Sequence, residues 1–210
     1  MCGRYSQAYT WDQIHAFSQP LTVPASHGEL RPRFNIASTT TVEIIVRAED
    51  GGRELRRARW GIIPGWWNKT QKEMKLATFK ARVEAADTSG MFKSSFRNRR
   101  CIIFFEWTGD KRDKTPPDFS AADGELMAFA GLWDSWKDRE TGKTVTSCTI
   151  IVREADAWSA KYHDRMPCML HPRDFDGWLD GRAERDLLMQ PPRELREWIV
   201  SKRVNVSGYV

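Results

Sequence analysis

The chain has 210 residues, of which 40% are hydrophobic and 11% aromatic, and this predicts one sizeable core in a single domain spanning residues 1–210. Its formal net charge of +5 permits a polyanionic partner without requiring one. The four cysteines show no CxxC spacing and no clustered histidines, which argues against a zinc site or a disulfide framework. No apolar run reaches the length of a membrane span and the opening residues lack a signal core, so we expect a reducing cytoplasmic setting.

The first half of the chain predicts one short helix and then a series of strands. Thr10 is a suitable N-cap, and Ile14 and Phe17 follow it at helical spacing, so we expect a helix that ends near residue 20. Extended, β-branched segments follow in RFNIAST and TTVEIIVRA. The alternating pattern resumes in ELRRARWGII after an Asp-Gly-Gly turn, which predicts a β-hairpin.

The second half predicts a loop, three strands and several short helices. PGWWNKTQKEMKLA has the composition of a loop, and FKARVEAADTS is expected to begin a short helix. Three successive strands are predicted in RCIIFFEW, ELMAFAGLWDSW and TVTSCTIIV. Further helices are predicted over 155–162, in PRDFDGWLD and in PRELREWIV. Together these elements predict an α+β fold whose core is an antiparallel, partly barrel-like β-sheet with short flanking helices.

Cys2 is the first residue whose chemistry suggests a function. Removing Met1 would leave an amine and a thiol on neighbouring carbons, and such a 1,2-aminothiol traps aldehydes. The amine, with an ordinary pKa of about 7.7–8.0, condenses with a carbonyl. The thiol, with an ordinary pKa of about 8.5, then adds to the imine and closes a thiazolidine ring. From its position alone, an ordinary terminal residue is the simpler interpretation of Cys2.

Three tryptophans, Trp60, Trp66 and Trp67, occur within eleven residues, together with Arg59 and Lys69. Exposed indoles stack on unpaired bases while neighbouring cations bind phosphates. The alternative is that these side chains anchor a loop to the core, because tryptophan is usually substantially buried. The sequence leaves both interpretations open.

His163 and Glu106 are candidates for proton transfer. His163 has acidic and basic neighbours in YHDRMP and can exchange protons near neutrality, although a single loop histidine is more often structural or solvated. Glu106 ends an apolar strand between two bulky aromatic residues, where partial burial would raise the pKa of its carboxyl. The alternative is a side chain that points outward or pairs with an arginine.

Six segments in chain order resemble the SRAP family (SOS response-associated peptidase, abasic-site processing proteins): MCGRY, RFNIAST, RWGIIPGWW, KARVEAADTSGMFKSSFRNRRC, FEW and YHDRMP. The matches run from residue 1 to about residue 180. The resemblance implies a SRAP-like fold and a DNA–protein crosslinking activity, in which the N-terminal cysteine captures the aldehyde of an abasic site in single-stranded DNA as a thiazolidine. It also implies lyase-like chemistry and autopeptidase removal of whatever precedes the cysteine.

The resemblance also assigns roles to residues of this chain. Cys2 would supply the amine and the thiol, Glu106 would act as acid and base in the imine chemistry, and His163 would donate a proton to the sugar oxygen during ring opening. Asn35 and Lys80 would border and position the N-terminus. The residues implied in DNA binding are Arg4, Trp66, Trp67, Arg82 and Arg165. No metal or diffusible cofactor is implied.

Two departures from the family pattern change the expected site. Lys80 stands where the family carries an asparagine, and its ammonium would favour the Cys2 thiolate, whereas a neutral Lys80 amine could itself attack the aldehyde and open a lyase route. The segment between Cys101 and Glu106 is about four residues shorter than in the family. At roughly 3.3 Å per residue, this could move Glu106 along its strand by more than about 10 Å. Either change could reduce or alter activity.

We therefore expect a sensor of abasic sites that crosslinks itself to single-stranded DNA as part of the response to DNA damage. It would act as a monomer without membrane association, in the cytoplasm and at the nucleoid when bound to DNA. Two alternatives remain open. The chain could be a single-stranded DNA-binding protein without catalysis, or a thiol peptidase that acts on other proteins with Cys2 and His163 as a dyad.

Overall fold

The computed structural model describes residues 4–7, 9–23, 32–108, 117–182 and 185–199, and the side chains of residues 4, 106–108, 117 and 198–199 fall outside that description. The strands are β1 (Arg4–Gln7), β2 (Leu21–Thr22), β3 (Arg33–Ala37), β4 (Thr41–Arg47), β5 (Arg53–Trp60), β6 (Lys80–Arg82), β7 (Arg100–Phe104), β8 (Glu106–Thr108), β9 (Pro117–Ala121), β10 (Ala128–Lys137), β11 (Thr144–Glu154), β12 (Arg165–Pro167), β13 (Met169–Leu170) and β14 (Leu195–Ile199). The helices are α1 (Trp11–Ser18), α2 (Lys93–Asn98) and α3 (Phe175–Leu179), with 3₁₀ turns at Gln71–Glu73, Ser159–Lys161, Pro172–Asp174 and Arg185–Met189.

Five strands close into a barrel. They pair in the order β11-β10-β7-β4-β5, and β5 pairs with β11 in parallel to complete the ring. The other four pairings of the ring are antiparallel. The short strands β2, β6, β12 and β13 add to its members. This closed ring with few, short helices confirms the predicted α+β class and its barrel-like, mainly antiparallel core.

A second, five-stranded antiparallel sheet has the order β14-β9-β8-β1-β3. The segment RCIIFFEW, predicted as one strand, contributes to both sheets, because β7 ends in the barrel and β8 begins in the second sheet. Between them, Phe105 is fully buried and donates its N–H to the Met127 carbonyl at 3.3 Å. This crossing brings β1, the neighbour of β8, next to the barrel.

The two sheets share one apolar core. Ile44, Ile103 and Ile150 from the barrel strands belong to the same buried cluster as Tyr5 from β1. Gly131 faces this cluster, where an added Cβ would lie 2.7 Å from Ile103 Cδ1 and 2.8 Å from Cys101 Sγ. A side chain at this position would overpack the core, so glycine is required for the close approach of β7 and β10.

The three cysteines in the described part of the chain are buried thiols. Cys101 and Cys148 have no exposed surface and belong to the shared core. Burial raises the pKa of both thiols. Burial also raises the pKa of Cys168 to about 12. All three are free thiols that stay protonated near neutrality, and a buried thiol of this kind is inert.

Most of the predicted elements are confirmed. α1 starts after Thr10, whose hydroxyl accepts the Gln13 N–H at 3.3 Å, as the predicted N-cap requires. β4 and β5 form the predicted hairpin, the three central strand predictions correspond to β7 with β8, β10 and β11, and PRDFDGWLD contains α3. No helix in the described ranges is long and apolar enough to cross a membrane.

Two helix predictions are wrong, and a third is only partly right. In FKARVEAADTS the structure has strand β6 followed by turns over 83–88, because β6 adds to β11 in parallel. PRELREWIV contains strand β14, which pairs with β9. The helix predicted over 155–162 is limited to the 3₁₀ turn Ser159–Lys161. In the first two cases, pairing with another strand overrides the local helical spacing.

Candidate functional site

The strand that follows Cys2 is held by Tyr5, while Cys2 itself lies outside the described residues. Tyr5 is buried and stacks on Phe105, with ring centroids 3.7 Å apart. It also contacts Trp60, at 4.1 Å between centroids. Aromatic contacts of this kind combine large apolar burial with a defined geometry. Tyr5 therefore fixes the start of β1, three residues after Cys2, against the barrel.

The rings of Tyr5, Trp60 and Phe79 contact one another in series, and we call them the aromatic wall. Lys80 lies at the end of this wall. Trp60 donates its Nε1–H to the Phe79 carbonyl at 2.8 Å, and the two rings meet edge to face at 5.7 Å. The Lys80 ammonium lies 5.8 Å from the Phe79 ring centroid, and no described residue forms an ion pair with it. The contacts from Tyr5 through Trp60 to Phe79 thus link the strand after Cys2 to Lys80.

Strand pairing sets the backbone positions of Glu106 and Asn35. β8 pairs with β1 so that Glu106 lies opposite Ser6, and the shortened segment before Glu106 therefore still ends beside the N-terminal strand. On the other side of β1, strand β3 carries Asn35, which is partly buried. The side chains of Glu106 and Arg4 lie outside the described part of the chain.

His163 is positioned by its neighbours in YHDRMP. Its Nδ1 accepts the Arg165 backbone N–H at 2.8 Å and lies 2.6 Å from a carboxylate oxygen of Asp164. The two contacts demand opposite states of Nδ1, a lone pair for the amide and a proton for the carboxylate. Both contacts are made by Nδ1, so they fix the orientation of the ring.

The residue before His163 docks this segment on the second sheet. Tyr162 meets Phe119 edge to face at 5.1 Å between centroids, and Trp158 meets the same ring at 5.3 Å. Phe119 lies in β9, whose neighbour β8 pairs with β1. Tyr162 and Trp158 therefore pack the segment before His163 against the sheet that contains the N-terminal strand.

Two of the arginines predicted to bind DNA lie on strands that flank one end of β11. Arg82 in β6 lies opposite Val152, is exposed, and forms no ion pair with a described residue. Arg165 in β12 donates to Glu84 Oε1 at 2.6 Å. Partial burial acts to raise the pKa of Glu84, but hydrogen bonds from its own backbone amide and from Arg165 outweigh this and lower it. Glu84 is therefore anionic near neutrality and positions the Arg165 guanidinium.

The three tryptophans of the 59–69 segment have different environments. Trp60 is fully buried, so the interpretation that a tryptophan anchors this segment to the core is confirmed for this residue. Trp67 is partly buried and donates its Nε1–H to the Thr70 carbonyl at 3.0 Å. Trp66 is 56% exposed. Of the three, Trp66 presents the most ring surface to solvent, as base stacking requires.

Three positioning residues were missed in the sequence. Asp134 is buried in β10 and accepts the Gly65 N–H and the Arg99 guanidinium, each at 2.9 Å, so it fixes the loop that carries the exposed tryptophan. An acidic residue inside the apolar strand GLWDSW was the available signal, because a buried carboxylate needs partners. Tyr5 and Glu84 were overlooked because their roles depend on contacts that are remote in sequence.

The fold and these contacts define a β-barrel protein whose N-terminal strand packs against the barrel through Tyr5. A family model described as SOS response associated peptidase (SRAP) matches residues 1–207. The chain therefore belongs to the SRAP family.

Known relatives are similar over most of the chain. Abasic site processing protein YoqW of Bacillus subtilis (strain 168) is 31% identical over 188 residues, which cover 87% of this chain and 81% of that protein. Abasic site processing protein YedK of Escherichia coli (strain K12) is 30% identical over 185 residues, covering 85% and 79%. A crystal structure of a Bordetella bronchiseptica protein superposes with a TM-score of 0.81 at 23% identity, over 95% of this chain and 100% of that one. This last similarity concerns the fold.

Proposed function

We propose that this chain recognises abasic sites in single-stranded DNA and captures the lesion covalently through Cys2. Membership of the SRAP family, and relatives named abasic site processing proteins, support the choice of lesion. The observation that carries the proposal is the anchoring of β1 by Tyr5 against the aromatic wall that ends at Lys80. An N-terminal nucleophile needs such a fixed strand behind it to meet its substrate in one geometry.

Capture requires the removal of Met1, which we assign to autoproteolytic hydrolysis of the peptide bond before Cys2. The Cys2 nitrogen then attacks the aldehyde carbon of the opened sugar, and loss of water gives an imine. The Cys2 sulfur adds to the imine carbon, the thiol proton passes to nitrogen, and the five-membered thiazolidine closes. Because the closed ring contains no imine, it lacks the electron sink that strand cleavage needs, and the lesion is protected.

We assign the proton transfers to His163 and Glu106. The imidazolium form of His163 donates a proton to the sugar ring oxygen as its bond to C1 breaks, and the C1 hydroxyl returns a proton to the imidazole as it becomes the aldehyde. The Glu106 carboxylate accepts a proton from the Cys2 ammonium and returns one to the hydroxyl that leaves as water. General acid–base catalysis of this kind contributes about 10²- to 10⁴-fold to a rate.

We assign DNA binding to the arginines around this site. The exposed Arg82 and the Arg165 guanidinium held by Glu84 suit contacts to phosphates, and Arg4 follows Cys2 closely in the chain. Asn35 borders the N-terminal strand in the same proposal. The protein would act as a monomer, in the cytoplasm and at the nucleoid when bound to DNA.

Intact mass spectrometry of the purified protein, alone and after mixing with an abasic single-stranded oligonucleotide, tests both steps. We expect a chain that lacks Met1 and, after mixing, an adduct equal to protein plus DNA less one water. An oligonucleotide with a reduced sugar at the lesion has no aldehyde and should give no adduct. Cys2→Ala should abolish the adduct. A processed chain that forms no adduct with abasic DNA would contradict the proposal.

The role assignments have a separate test on the same assay. Glu106→Gln and His163→Ala should slow adduct formation, because each removes one proton-transfer group while leaving Cys2 intact. Unchanged rates in both variants would show that other groups move the protons.

A second candidate function is single-stranded DNA binding without covalent chemistry. It is favoured by the cation of Lys80 on the aromatic wall, where the family pattern has a neutral asparagine. Salt-dependent affinity for abasic and intact DNA alike, with no adduct by mass, would select this alternative.

A further inference from the structure

A hydrogen bond links β14, the last strand in the described ranges, to the residue before His163. Glu197 of β14 lies opposite Phe119 of β9, and residues opposite each other in an antiparallel pair present their side chains on the same face of the sheet. Tyr162 meets the Phe119 ring edge to face, at 5.1 Å between centroids. The Tyr162 hydroxyl donates to the Glu197 carboxylate. An acidic side chain of β14 therefore holds the tyrosine that precedes the histidine.

The donor in this hydrogen bond keeps its proton throughout the pH range of histidine chemistry. Burial of the phenol and, second to it, the bond to Glu197 raise the pKa of Tyr162 to about 12. The hydroxyl therefore stays protonated at every pH at which a histidine exchanges protons. Because the acceptor is a carboxylate, the bond is roughly twice as strong as one between neutral groups.

The ring of Tyr162 also belongs to a cluster of three aromatic residues. Trp158 lies 5.5 Å from Tyr162 and 5.3 Å from Phe119, between ring centroids, so each ring contacts the other two. Apolar contacts of this kind are favourable but have little directional preference along the ring planes. The bond to Glu197 adds a directional contact at the tip of the phenol ring.

The backbone around His163 transmits this anchoring to the imidazole. The His163 N–H donates to the Ser159 carbonyl at 3.1 Å, and the Ala155 N–H donates to the carbonyl of Asp164 at 3.0 Å. The ring accepts the Arg165 N–H at 2.8 Å, and the histidine side chain is only 12% exposed. A side chain enclosed in this way has little room to rotate, so a displacement of the preceding tyrosine moves the imidazole as well.

From these contacts we infer that Glu197 is a positioning residue for the capture reaction, which acts by holding Tyr162 and thereby the imidazole of His163. This inference rests on the proposed function, and it gives the Glu197 carboxylate no contact with DNA and no proton transfer of its own. The placement of a reacting group matters because a displacement of about 1 Å can cost about 10²-fold in rate. β14, at the edge of the second sheet, is then part of the site although it carries no reacting group.

The test measures the rate of adduct formation against the concentration of an abasic single-stranded oligonucleotide. We expect Glu197→Ala to lower the maximal rate about tenfold, which is less than the loss of a whole acid–base group, because the histidine is displaced and not removed. The half-saturating DNA concentration should not change. Glu197→Gln keeps an oxygen that accepts the hydrogen bond and should recover most of the rate. The matched control, Glu194→Ala, removes an exposed carboxylate that has no ion pair with a described residue and should keep the wild-type rate.

Double variants show whether Glu197 acts through Tyr162 and His163. Tyr162→Phe keeps the ring in its cluster and removes only the hydroxyl. It should slow the reaction by the same factor as Glu197→Ala, and the two changes together should cause no further loss. In a His163→Ala background, Glu197→Ala should change the rate by less than about twofold, because no imidazole is left to position. A carboxylate that acted only on the fold or on DNA would change the rate by the same factor in both backgrounds.

The imidazole also reports its position without any chemistry. NMR spectra that correlate ring nitrogens with ring protons can be assigned to His163 by comparison with His163→Ala. We expect its signals to shift or broaden in Glu197→Ala and to match those of the wild type in Glu194→Ala. Unchanged His163 signals in Glu197→Ala would overturn the inference.

The outcomes separate this inference from the proposed function. A wild-type protein that forms no adduct would contradict the proposed function, and the His163 signals would then decide whether Glu197 positions the ring. A wild-type rate in both Glu197→Ala and Tyr162→Phe, or an equal loss with and without His163, would overturn the inference alone. If Glu197→Ala does not fold, Tyr162→Phe provides the same comparisons.

Discussion

Lys80 is the residue with the greatest influence on the proposed chemistry. The contacts among Tyr5, Trp60 and Phe79 connect it to the strand after Cys2, and no described carboxylate pairs with it. In the proposed site, a Lys80 cation would favour the Cys2 thiolate and oppose a second positive charge on its amine, so it would promote both nucleophiles. A neutral amine at the same position would itself be a nucleophile for the aldehyde.

We expect borohydride trapping to reveal Lys80 as a second nucleophile. Borohydride reduces an imine to a stable amine, so Cys2→Ala protein mixed with abasic DNA should give a trapped adduct, and peptide mapping should locate it on Lys80. The α-amine of the N-terminus remains in this variant and can also form an imine, so adding Lys80→Asn should abolish only the adduct that maps to residue 80. Adding Lys161→Asn, which removes an exposed lysine near His163, should not. If no trapped DNA is ever found on Lys80, the competing lyase route is wrong.

At the scale of elements, strands were easier to predict than helices. In β5 the buried side chains recur mainly at alternate positions, which is the period of a strand. The β4–β5 hairpin follows from its turn, where Gly51 adopts a positive φ of 85°. The helix prediction for PRELREWIV is wrong because the spacing of its apolar residues suits both the helical and the strand period. Pairing with β9, which is more than seventy residues away, makes this segment a strand.

The candidate site was predictable as a set of residue types but not as an arrangement. Cys2, Glu106 and His163 could be named from the sequence, because nucleophilicity and proton transfer are properties of those side chains. The arrangement of β1, β8 and the segment before His163 depends on the pairing of β1 with β8 and on the packing of Tyr162 on Phe119, and neither is encoded locally. The separation of the exposed indole from the buried ones likewise depends on contacts between distant segments.

Asp134→Asn tests how far the tryptophan loop depends on one buried carboxylate. The Asp134 side chain is 3% exposed and accepts hydrogen bonds from Gly65 and Arg99. Asparagine keeps the shape but removes the charge that strengthens both bonds. We therefore expect the free energy of unfolding to fall by about 1.5–3 kcal/mol in chemical denaturation. Asp138→Asn, on the solvated hairpin nearby, is the control and should change it much less. Equal losses in the two variants would contradict the positioning role.

At the scale of the whole molecule, one ionic junction joins segments that are far apart in the sequence. Arg53 in β5 donates to the Ser18 carbonyl at the end of α1 at 2.9 Å and pairs with Asp176 of α3 at 3.0 Å. Arg47 in β4 pairs with the same aspartate at 2.9 Å. The barrel and two helices therefore meet at Arg53. No local pattern in the sequence distinguishes these charges from ordinary solvated ones.

Asp176 gives this junction a defined pH dependence. Partial burial acts to raise the pKa of Asp176, but hydrogen bonds from Arg47 and Arg53 outweigh it and lower the pKa from its ordinary value of about 3.9. Because the folded-state pKa lies below the unfolded-state value, the stabilisation is complete above the unfolded-state pKa and is lost as the pH falls through the folded-state pKa. The junction should therefore stabilise the folded protein at neutral pH and lose this stabilisation in acid.

Asp176→Asn measures this contribution. At pH 7 we expect the variant to lose about 1 kcal/mol or less of unfolding free energy, because the Asp176 side chain is 53% exposed and solvent screens its ion pairs. As the pH is lowered to about 2 the difference between the two proteins should shrink, because protonation of Asp176 in the wild type removes the same charge. Urea denaturation at both pH values gives the difference. The control Glu49→Gln removes an exposed carboxylate that has no ion pair with a described residue. It should have the same unfolding free energy as the wild type at pH 7. A deficit in Asp176→Asn that persists undiminished at pH 2 would mean that packing, rather than charge, holds the barrel and the helices together there.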